Sequence, residues 1–342
     1  MKVAIDGTPL TQPTGGVRRY VQELSQALER CFPEDQYFRV SDQPFEGRSG
    51  RGPNSPAERR WWLWGLRREM DRLGAEIFHG ADFSVPYIPS KPSVMTLHDL
   101  SPWRTESQAE TSERVRRRTP VLLRLGLASI VITPSEAIRR EAMARFSLDG
   151  NSVVPIPLAS SVAFHPVPTV PKSRPYFLYV GAIEQRKNVG VIVEAWRELR
   201  KTEDVDLVLC GKVRDSMSKA PDGVEIRSDV DDADLPAMYS GAAAFLYPSL
   251  YEGFGLPVLE AMQCGAMVVT SKDPAISEIA AGAAVQVEAR DLPGWLEAMR
   301  SALVLDTRKS WGDLGMRRAA EFSWERTATR TREVYIEALR RG

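Results

Sequence analysis

Cysteine is scarce and the net charge is zero in this 342-residue sequence, and each of these features argues against a class of protein. The three cysteines lie far apart and form neither a CxxC pair nor a spacing typical of a metal site. We therefore expect small buried thiols in a reducing cytoplasm rather than a disulfide framework. Basic and acidic residues both number 45, so the overall charge predicts no nucleic-acid partner.

Long hydrophobic runs are also absent from the sequence. The longest candidate, at 121–134, is too short to cross a bilayer and contains Arg124. The amino terminus turns acidic at Asp6 after three apolar residues, which indicates a first strand rather than a signal peptide. We expect a cytoplasmic protein, with peripheral contact on the cytoplasmic face of the membrane left open.

Short apolar runs alternate with helical patterns along the chain. The first half contains candidate strands at 2–6, 76–79, 94–97, 130–133 and 153–156. It contains candidate helices at 16–30, 56–73, 107–127 and 135–146. The pattern then restarts, with candidate strands at 176–180, 205–210, 244–247, 267–270 and 284–287. This alternation predicts an α/β fold with a mostly parallel sheet in each half.

A proline-rich segment separates the two halves. Residues 166–171 carry three prolines and predict a stiff, extended linker. We therefore expect one Rossmann-like domain over residues 1–165 and a second over 172–322. A final helix is expected over 323–342, with Ser323 as its N-cap.

The most informative stretch is SLYEGFGLPVLE at 249–260. Its two glutamates, Glu252 and Glu260, lie eight positions apart around a glycine turn. Gly255 allows close backbone approach to a ligand, and Pro257 suits the first turn of a helix. A helix N-terminus binds phosphate well, and the two carboxylates can accept hydrogen bonds from sugar hydroxyls on either side. The pattern indicates a nucleotide-sugar site.

This stretch and the preceding FLYPS at 245–249 resemble the E-x7-E motif of the family 4 retaining glycosyltransferases. The resemblance extends over nearly the whole chain. It implies the GT-B fold, in which two Rossmann-like domains face each other across a cleft. It also implies that the last helix crosses back to the first domain, since FSWE at 322–325 resembles that element.

The turn at 181–188, GAIEQRKN, resembles the G-x-x-E-x-R-K-N motif of the same family. The resemblance implies that Arg186 and Lys187 reach the donor diphosphate. Cations at a helix start oppose the helix dipole, so a bound anion explains them better than a plain basic surface. Many family members carry arginine where this chain has Ala182, which weakens transfer at that position.

The first half supplies further candidates by resemblance. Gly15 and Gly16 match the glycine loop that faces the donor, and His98 ends a strand where the family places a histidine near the donor sugar. His79 also ends a strand, and either lines the acceptor cleft or is a core residue. The expected catalytic residues are His98, Arg186, Lys187 and Glu252. The expected donor-binding residues are Gly15, Gly16, Arg186, Lys187, Glu252, Gly253, Phe254, Gly255, Leu256 and Glu260.

Two segments leave alternatives open. Residues 59–68 hold three tryptophans among arginines, typical of either an interfacial membrane helix or a packed helix with a basic face. The D-x-D pattern at 229–231 precedes a predicted helix, which favours an acidic helix start over a metal site. We expect no metal or other cofactor.

Within the family, the opening at Asp6 and the motif at 181–188 resemble bacterial mannosyltransferases of surface polysaccharide synthesis. GDP-mannose is therefore the expected donor, and a glycan or lipid-diphosphate-linked molecule the expected acceptor. Three alternatives stay open: a nucleotide-sugar 2-epimerase of the same fold, a non-catalytic sugar-nucleotide-binding protein, and a dinucleotide oxidoreductase. The last would use the glycines at 253–255 and Asp273, although Pro257 fits that fingerprint poorly.

Overall fold

The computed structural model describes residues 1–12, 15–45, 60–104, 110–168, 174–214 and 223–342. The chain divides into two compact units. Unit 1 comprises Met1–Leu158 and Ser323–Gly342, and unit 2 comprises Ala159–Phe322. The described part of the proline-rich segment therefore belongs to unit 2.

Unit 1 is built on a six-stranded parallel sheet with the order β2-β1-β3-β4-β5-β6. Its strands are β1 (Lys2–Asp6), β2 (Gln36–Val40), β3 (Ile77–Gly80), β4 (Ser93–Thr96), β5 (Ile130–Thr133) and β6 (Val153–Pro155). Every residue of β3, β4 and β5 is buried, as expected for central strands of a parallel sheet covered on both faces. The carboxyl ends of β3 and β4 therefore deliver buried polar residues to one edge of the sheet.

The first four helices of unit 1 are α1 (Gly16–Cys31), α2 (Leu66–Leu73), α3 (Glu110–Arg124) and α4 (Glu136–Phe146). The predicted N-cap of α4 is confirmed, because the Ser135 hydroxyl accepts the Ile138 N–H at 3.3 Å. The helix predicted over 56–73 is corrected by the structure. Trp61–Gly65 forms a π-helical turn ahead of α2, and residues 46–59 lie outside the described residues.

The three tryptophans of that turn have different surroundings. Trp61 is buried in a cluster that includes Leu66 and Met70, and Trp62 packs edge-on against Phe78. Trp64 alone is exposed, at 42% of its surface. The segment is therefore mostly packed, and its exposed tryptophan is Trp64.

Unit 2 repeats the architecture with a six-stranded parallel sheet of order β12-β11-β10-β7-β8-β9. Its strands are β7 (Tyr176–Val180), β8 (Asp206–Cys210), β9 (Val224–Arg227), β10 (Ala244–Tyr247), β11 (Val268–Ser271) and β12 (Val285–Val287). Its helices are α5 (Val189–Leu199), α6 (Leu235–Gly241), α7 (Leu256–Gln263), α8 (Pro274–Ala280), α9 (Leu292–Ser301) and α10 (Leu305–Ala319).

The last helix, α11 (Trp324–Arg341), packs in unit 1 against α1. Its start agrees with the sequence, since the Ser323 hydroxyl accepts the Arg326 N–H at 3.2 Å. Tyr335 and Ala338 on this helix are fully buried. Among the residues that the structure describes, no helix is both long and apolar enough to cross a membrane.

Candidate functional site

The turn after β7 presents the two cations that the sequence singled out. Arg186 and Lys187 lie in a single 3-10 turn, Gln185–Lys187, which ends at Asn188 in the left-handed conformation. The Asn188 side chain donates to the Pro248 carbonyl at 3.2 Å and to the Ala289 carbonyl at 2.6 Å. These bonds fix the cationic turn against the segments that follow β10 and β12.

The segment that follows β10 is the loop from Ser249 to Gly255. The Leu250 N–H donates to the Arg186 carbonyl at 2.9 Å, and the Arg186 guanidinium donates to the Tyr251 carbonyl at 2.9 Å. Gly255 has φ +105°, a conformation that favours glycine, and is the N-cap of α7. The predicted helix start at this glycine, with Pro257 in the first turn, is confirmed.

The two segments meet in a buried ion pair. The Lys187 ammonium donates to the Glu252 carboxylate and, at 3.2 Å, to the Tyr247 hydroxyl. Arg186 Nη1 lies 3.7 Å from Glu252 Oε2. Lys187 and Glu252 are each only 8% exposed. Burial alone would raise the pKa of Glu252, but Lys187 and Arg186 together hold it below its ordinary value, so the carboxylate is ionised at neutral pH.

Two carboxylates outside the predicted glycosyltransferase site complete this cluster. Glu184 accepts from Arg186 Nη2 at 3.0 Å, which orients the guanidinium. Asp273 Oδ2 accepts the Glu252 backbone N–H at 3.3 Å, while its Oδ1 caps α8 through Ala275 and Ile276. Glu184 was visible in the motif at 181–188, whereas nothing in the sequence placed Asp273 next to Glu252.

Glu260 lies away from the Lys187 cluster. It sits in α7 with 2% of its surface exposed, and its Oε2 accepts from the Tyr239 hydroxyl of α6 at 3.2 Å. Phe254 is buried and meets Phe322 edge-on. Of the donor-binding residues expected in unit 2, the structure brings Arg186, Lys187 and Glu252 into direct contact.

In unit 1, His98 follows the end of β4 and is held from two sides. Its Nε2 lies 2.8 Å from the Ala81 carbonyl, and the Tyr20 ring meets the imidazole edge-on with centroids 4.7 Å apart. Since a carbonyl only accepts, Nε2 carries the proton. Burial lowers the pKa of His98, so the ring is neutral near pH 7 and Nδ1 carries the lone pair that can accept a hydrogen bond.

Of the two alternatives left open for His79, the structure supports the core residue. The side chain has no exposed surface, and its two ring nitrogens bond to Tyr335 and Thr96. Burial lowers the pKa of His79 to about 3, so it is neutral.

The glycine loop of unit 1 leads directly into α1. Gly15 is the N-cap of this helix, with φ +137°, and Arg19 N–H bonds its carbonyl at 3.0 Å. A Cβ added at Gly15 or Gly16 would meet no atom of the described residues within 4 Å. The positive φ of Gly15 therefore favours glycine at that position, and the space around the Gly16 Cα is open among the described residues. Thr14 lies outside the described residues.

Asp99 and Asp82, acidic residues without a role predicted from the sequence, lie near His98. Burial, together with the neighbouring Asp99 and Asp6, raises the pKa of Asp82 to about 7. Arg118 acts in the opposite direction. Asp82 is therefore partly protonated near neutral pH and can donate as well as accept a hydrogen bond.

Comparison with known proteins decides the family. The family model described as Glycosyltransferase Family 4 matches residues 14–159, and the model described as Glycosyl transferases group 1 matches residues 163–306. The O-antigen chain mannosyltransferase B of Escherichia coli is 28% identical, over 98% of this chain and 99% of its own. The chain is a family 4 glycosyltransferase.

Solved structures support the fold of this glycosyltransferase. Sucrose-phosphate synthase from Thermosynechococcus elongatus superposes with a TM-score of 0.76 over 100% of both chains, at 19% identity. The Anabaena protein HepE in complex with UDP and glucose gives a TM-score of 0.71 over 98% of both chains, at 14% identity. The two parallel six-stranded sheets and these neighbours establish the GT-B fold.

The site of the glycosyltransferase fits a dinucleotide poorly. The carboxylate that would bind a ribose in the dinucleotide fingerprint, Asp273, already accepts backbone N–H groups on both oxygens.

The D-x-D region at 229–231 is a turn at a helix start, where Asp231 Oδ1 accepts the Ala233 N–H at 3.0 Å. Asp234 occupies the N-cap of α6, but its side chain makes no capping bond.

Proposed function

We propose that the glycosyltransferase moves a hexose from a nucleotide-sugar to a glycan or lipid-diphosphate-linked acceptor, with retention at the anomeric carbon. The observation that carries this proposal is the contact of Lys187 and Arg186 with Glu252 beside the N-terminus of α7. Two held cations and a helix start form a suitable site for a diphosphate. The full-length similarity to an O-antigen mannosyltransferase supports surface polysaccharide assembly and mannose as the transferred sugar, and the donor in this proposal is GDP-mannose.

Catalysis in this proposal is mainly electrostatic. The bond between the anomeric carbon and the diphosphate oxygen breaks while the acceptor hydroxyl attacks from the same face, and negative charge grows on the departing diphosphate. Lys187 and Arg186 are already oriented by Glu252, Tyr247 and Glu184, so little reorganisation is needed to meet that charge. No protein nucleophile takes part, so the retaining-glycosidase arrangement of two flanking carboxylates does not apply.

The carboxylates and His98 have separate proposed roles. Glu252 accepts from donor hydroxyls while it holds Lys187, and Glu260 serves the ribose side of the donor. In unit 1, His98 Nδ1 accepts a hydrogen bond from a hydroxyl of the transferred sugar, because Nε2 is committed to Ala81. Gly15 and Gly16 allow the donor or acceptor to approach the backbone closely.

A peripheral membrane contact is also proposed, on a surface narrower than the sequence suggested. Trp64, Arg67, Arg68 and Asp71 line a surface cavity of about 350 Å³. An exposed tryptophan beside two arginines suits the interface of an anionic bilayer. Co-sedimentation with anionic vesicles should fall for Arg67→Glu and not for Arg197→Glu, a matched change in the last turn of α5. Equal sedimentation of the two variants would contradict this contact.

Incubation with radiolabelled GDP-mannose and an extract of lipid-linked and soluble glycans tests the main proposal. Label transferred to an acceptor supports it, and the anomeric configuration of the product reports retention. Isomerised free donor would indicate the 2-epimerase. Binding without turnover would indicate a non-catalytic protein, and binding of NAD alone would indicate the oxidoreductase.

Donor specificity needs a panel, because HepE was solved with UDP and glucose. Thermal-shift measurements with GDP-, UDP- and dTDP-sugars should give the largest stabilisation with GDP-mannose. The control is the Lys187→Met variant, which should lose most of the shift for every diphosphate donor. An unchanged shift in that variant would place the diphosphate elsewhere.

A further inference from the structure

Four buried side chains of unit 1 form a continuous hydrogen-bonded chain. The Tyr20 hydroxyl of α1 lies 3.0 Å from Thr96 Oγ1 at the end of β4. Thr96 Oγ1 lies 2.8 Å from His79 Nε2 on β3, and His79 Nδ1 lies 2.7 Å from the Tyr335 hydroxyl on α11. The chain therefore joins four different elements of unit 1.

The chain is consistent as a set of donors and acceptors. His79 is neutral, so one ring nitrogen donates and the other accepts. Each hydroxyl can either donate or accept, so the direction of hydrogen-bond donation along the chain is either from Tyr335 to Tyr20 or from Tyr20 to Tyr335. None of the four side chains is exposed by more than 1%. A buried hydrogen-bonded network of this kind restricts side-chain motion.

One end of the chain contacts the residue proposed to orient the sugar. The Tyr20 and His98 rings are inclined at 81° with centroids 4.7 Å apart, an edge-to-face contact. The Ala81 carbonyl fixes Nε2 of His98, but a single hydrogen bond leaves the imidazole free to pivot about it. The Tyr20 ring removes that freedom and so determines where Nδ1 points.

We propose that Tyr20 is a positioning residue for His98, and that Thr96, His79 and Tyr335 hold Tyr20 in the required orientation. The proposal rests on the proposed function only in the role given to His98. It gives a task to Tyr20 and makes α11 a support of the reacting region of unit 1. It also explains the two bonds that fix the imidazole of buried His79.

The first test is spectroscopic and needs no substrate. The chain has three histidines, so ¹⁵N-histidine labelling gives three resolvable imidazole patterns that report tautomer and mobility. Wild-type His98 should show a single tautomer protonated at Nε2. Tyr20→Leu should shift the His98 signals toward a mixture of tautomers, and Tyr20→Phe, which keeps the ring, should shift them much less.

Two further variants complete the spectroscopic test. Tyr335→Phe breaks the far end of the chain and should move the His98 signals in the same direction as Tyr20→Phe. Leu28→Ala is the control, because Leu28 is fully buried on α1 about 12 Å along the helix from Tyr20. It should lower stability and leave the His98 signals unchanged. A folded Tyr20→Leu protein with the wild-type His98 pattern, or a Tyr335→Phe protein with no change, would overturn the proposal.

The second test is a kinetic double-mutant cycle. Tyr20→Leu should lower kcat about 10-fold in the wild-type background and less than about 2-fold in a His98→Ala background, because both act on one group. Tyr20→Phe should recover most of the lost kcat. A full 10-fold loss in the His98→Ala background would show that Tyr20 acts independently and would overturn the positioning role. Unchanged kcat in His98→Ala alone would instead refute the role of His98 in the proposed function.

Discussion

Replacing Lys187 by methionine should reveal how the Glu252 carboxylate is kept charged in a buried place. Methionine is unbranched and apolar, so the substitution removes the ammonium and leaves most of the packing. Among the described residues, Glu252, 8% exposed, then keeps Arg186 as its cation, with Nη1 3.7 Å away. Breaking a buried ion pair by removing one partner costs about 3–5 kcal/mol, and the remaining arginine places this case near the lower figure.

The loss should depend on pH in a defined direction. In the wild type the pKa of Glu252 lies below its ordinary value of 4.5, so its contribution to stability is present above that pH and is lost as the pH falls through the folded-state pKa. Without Lys187, burial dominates and the pKa of Glu252 rises. If it rises above the ordinary value, ionising Glu252 costs stability as the pH increases. The difference between wild type and variant should therefore be small in acid and grow toward neutral pH.

Urea unfolding measures this difference directly. Lys187→Met should lower the free energy of unfolding by about 3 kcal/mol near pH 7.5 and by about 1 kcal/mol near pH 4.5. The Lys187→Met/Glu252→Gln double variant should recover part of the neutral-pH loss, because no unpaired charge remains. Lys187→Arg, the charge-conserving control, should lose less. An equal loss at both pH values, with no recovery in the double variant, would refute the coupling of Glu252 to Lys187.

Three further outcomes are expected. Glu260→Gln should raise the donor KM about 10-fold with little change in kcat, since it removes binding shared by ground and transition states; a matching fall in kcat would contradict the ribose role. Activity should stay within about 2-fold of its initial value in excess EDTA, and loss that Mn²⁺ restores would implicate Asp231. Gly211→Ala should destabilise unit 2 by about 3 kcal/mol, because the added Cβ would lie 1.9 Å from the Gly181 carbonyl oxygen. The control, Gly190→Ala, adds its Cβ on the exposed surface of α5 and should stabilise unit 2 by up to about 1 kcal/mol. Equal urea midpoints for the two variants would argue against the clash.

Most of the fold was predictable because parallel strands buried on both faces are continuous apolar runs. β2 and β9 were missed for the opposite reason. The sequence QYFRV of β2 and VEIR of β9 mix charged and apolar residues, as edge strands exposed on one side do. The π-helical turn at Trp61–Gly65 was missed because helical periodicity does not reveal an extra residue in one turn.

The candidate site was predictable in its residues and less so in its contacts. The two sequence motifs pointed to Lys187 and Glu252. These residues are 65 positions apart, and their pairing depends on the position of β7 beside β10 in the sheet. The partners of Glu260 and His79 depend in the same way on packing between distant segments. Roles of individual residues toward donor and acceptor remain predictions that the experiments above address.

The membership of α11 in unit 1 has a consequence for biosynthesis. The chain must pass through all of unit 2 before it returns with the residues that fill the groove along α1 and give His79 its Tyr335 partner. During translation, all residues of unit 2 can therefore be synthesised while residues 1–158 still lack α11, which covers part of their hydrophobic core. On a ribosome stalled after Phe322, the nascent residues 1–158 would expose the apolar surface that α11 covers in the complete chain. Exposed apolar surfaces of this kind are bound by chaperones.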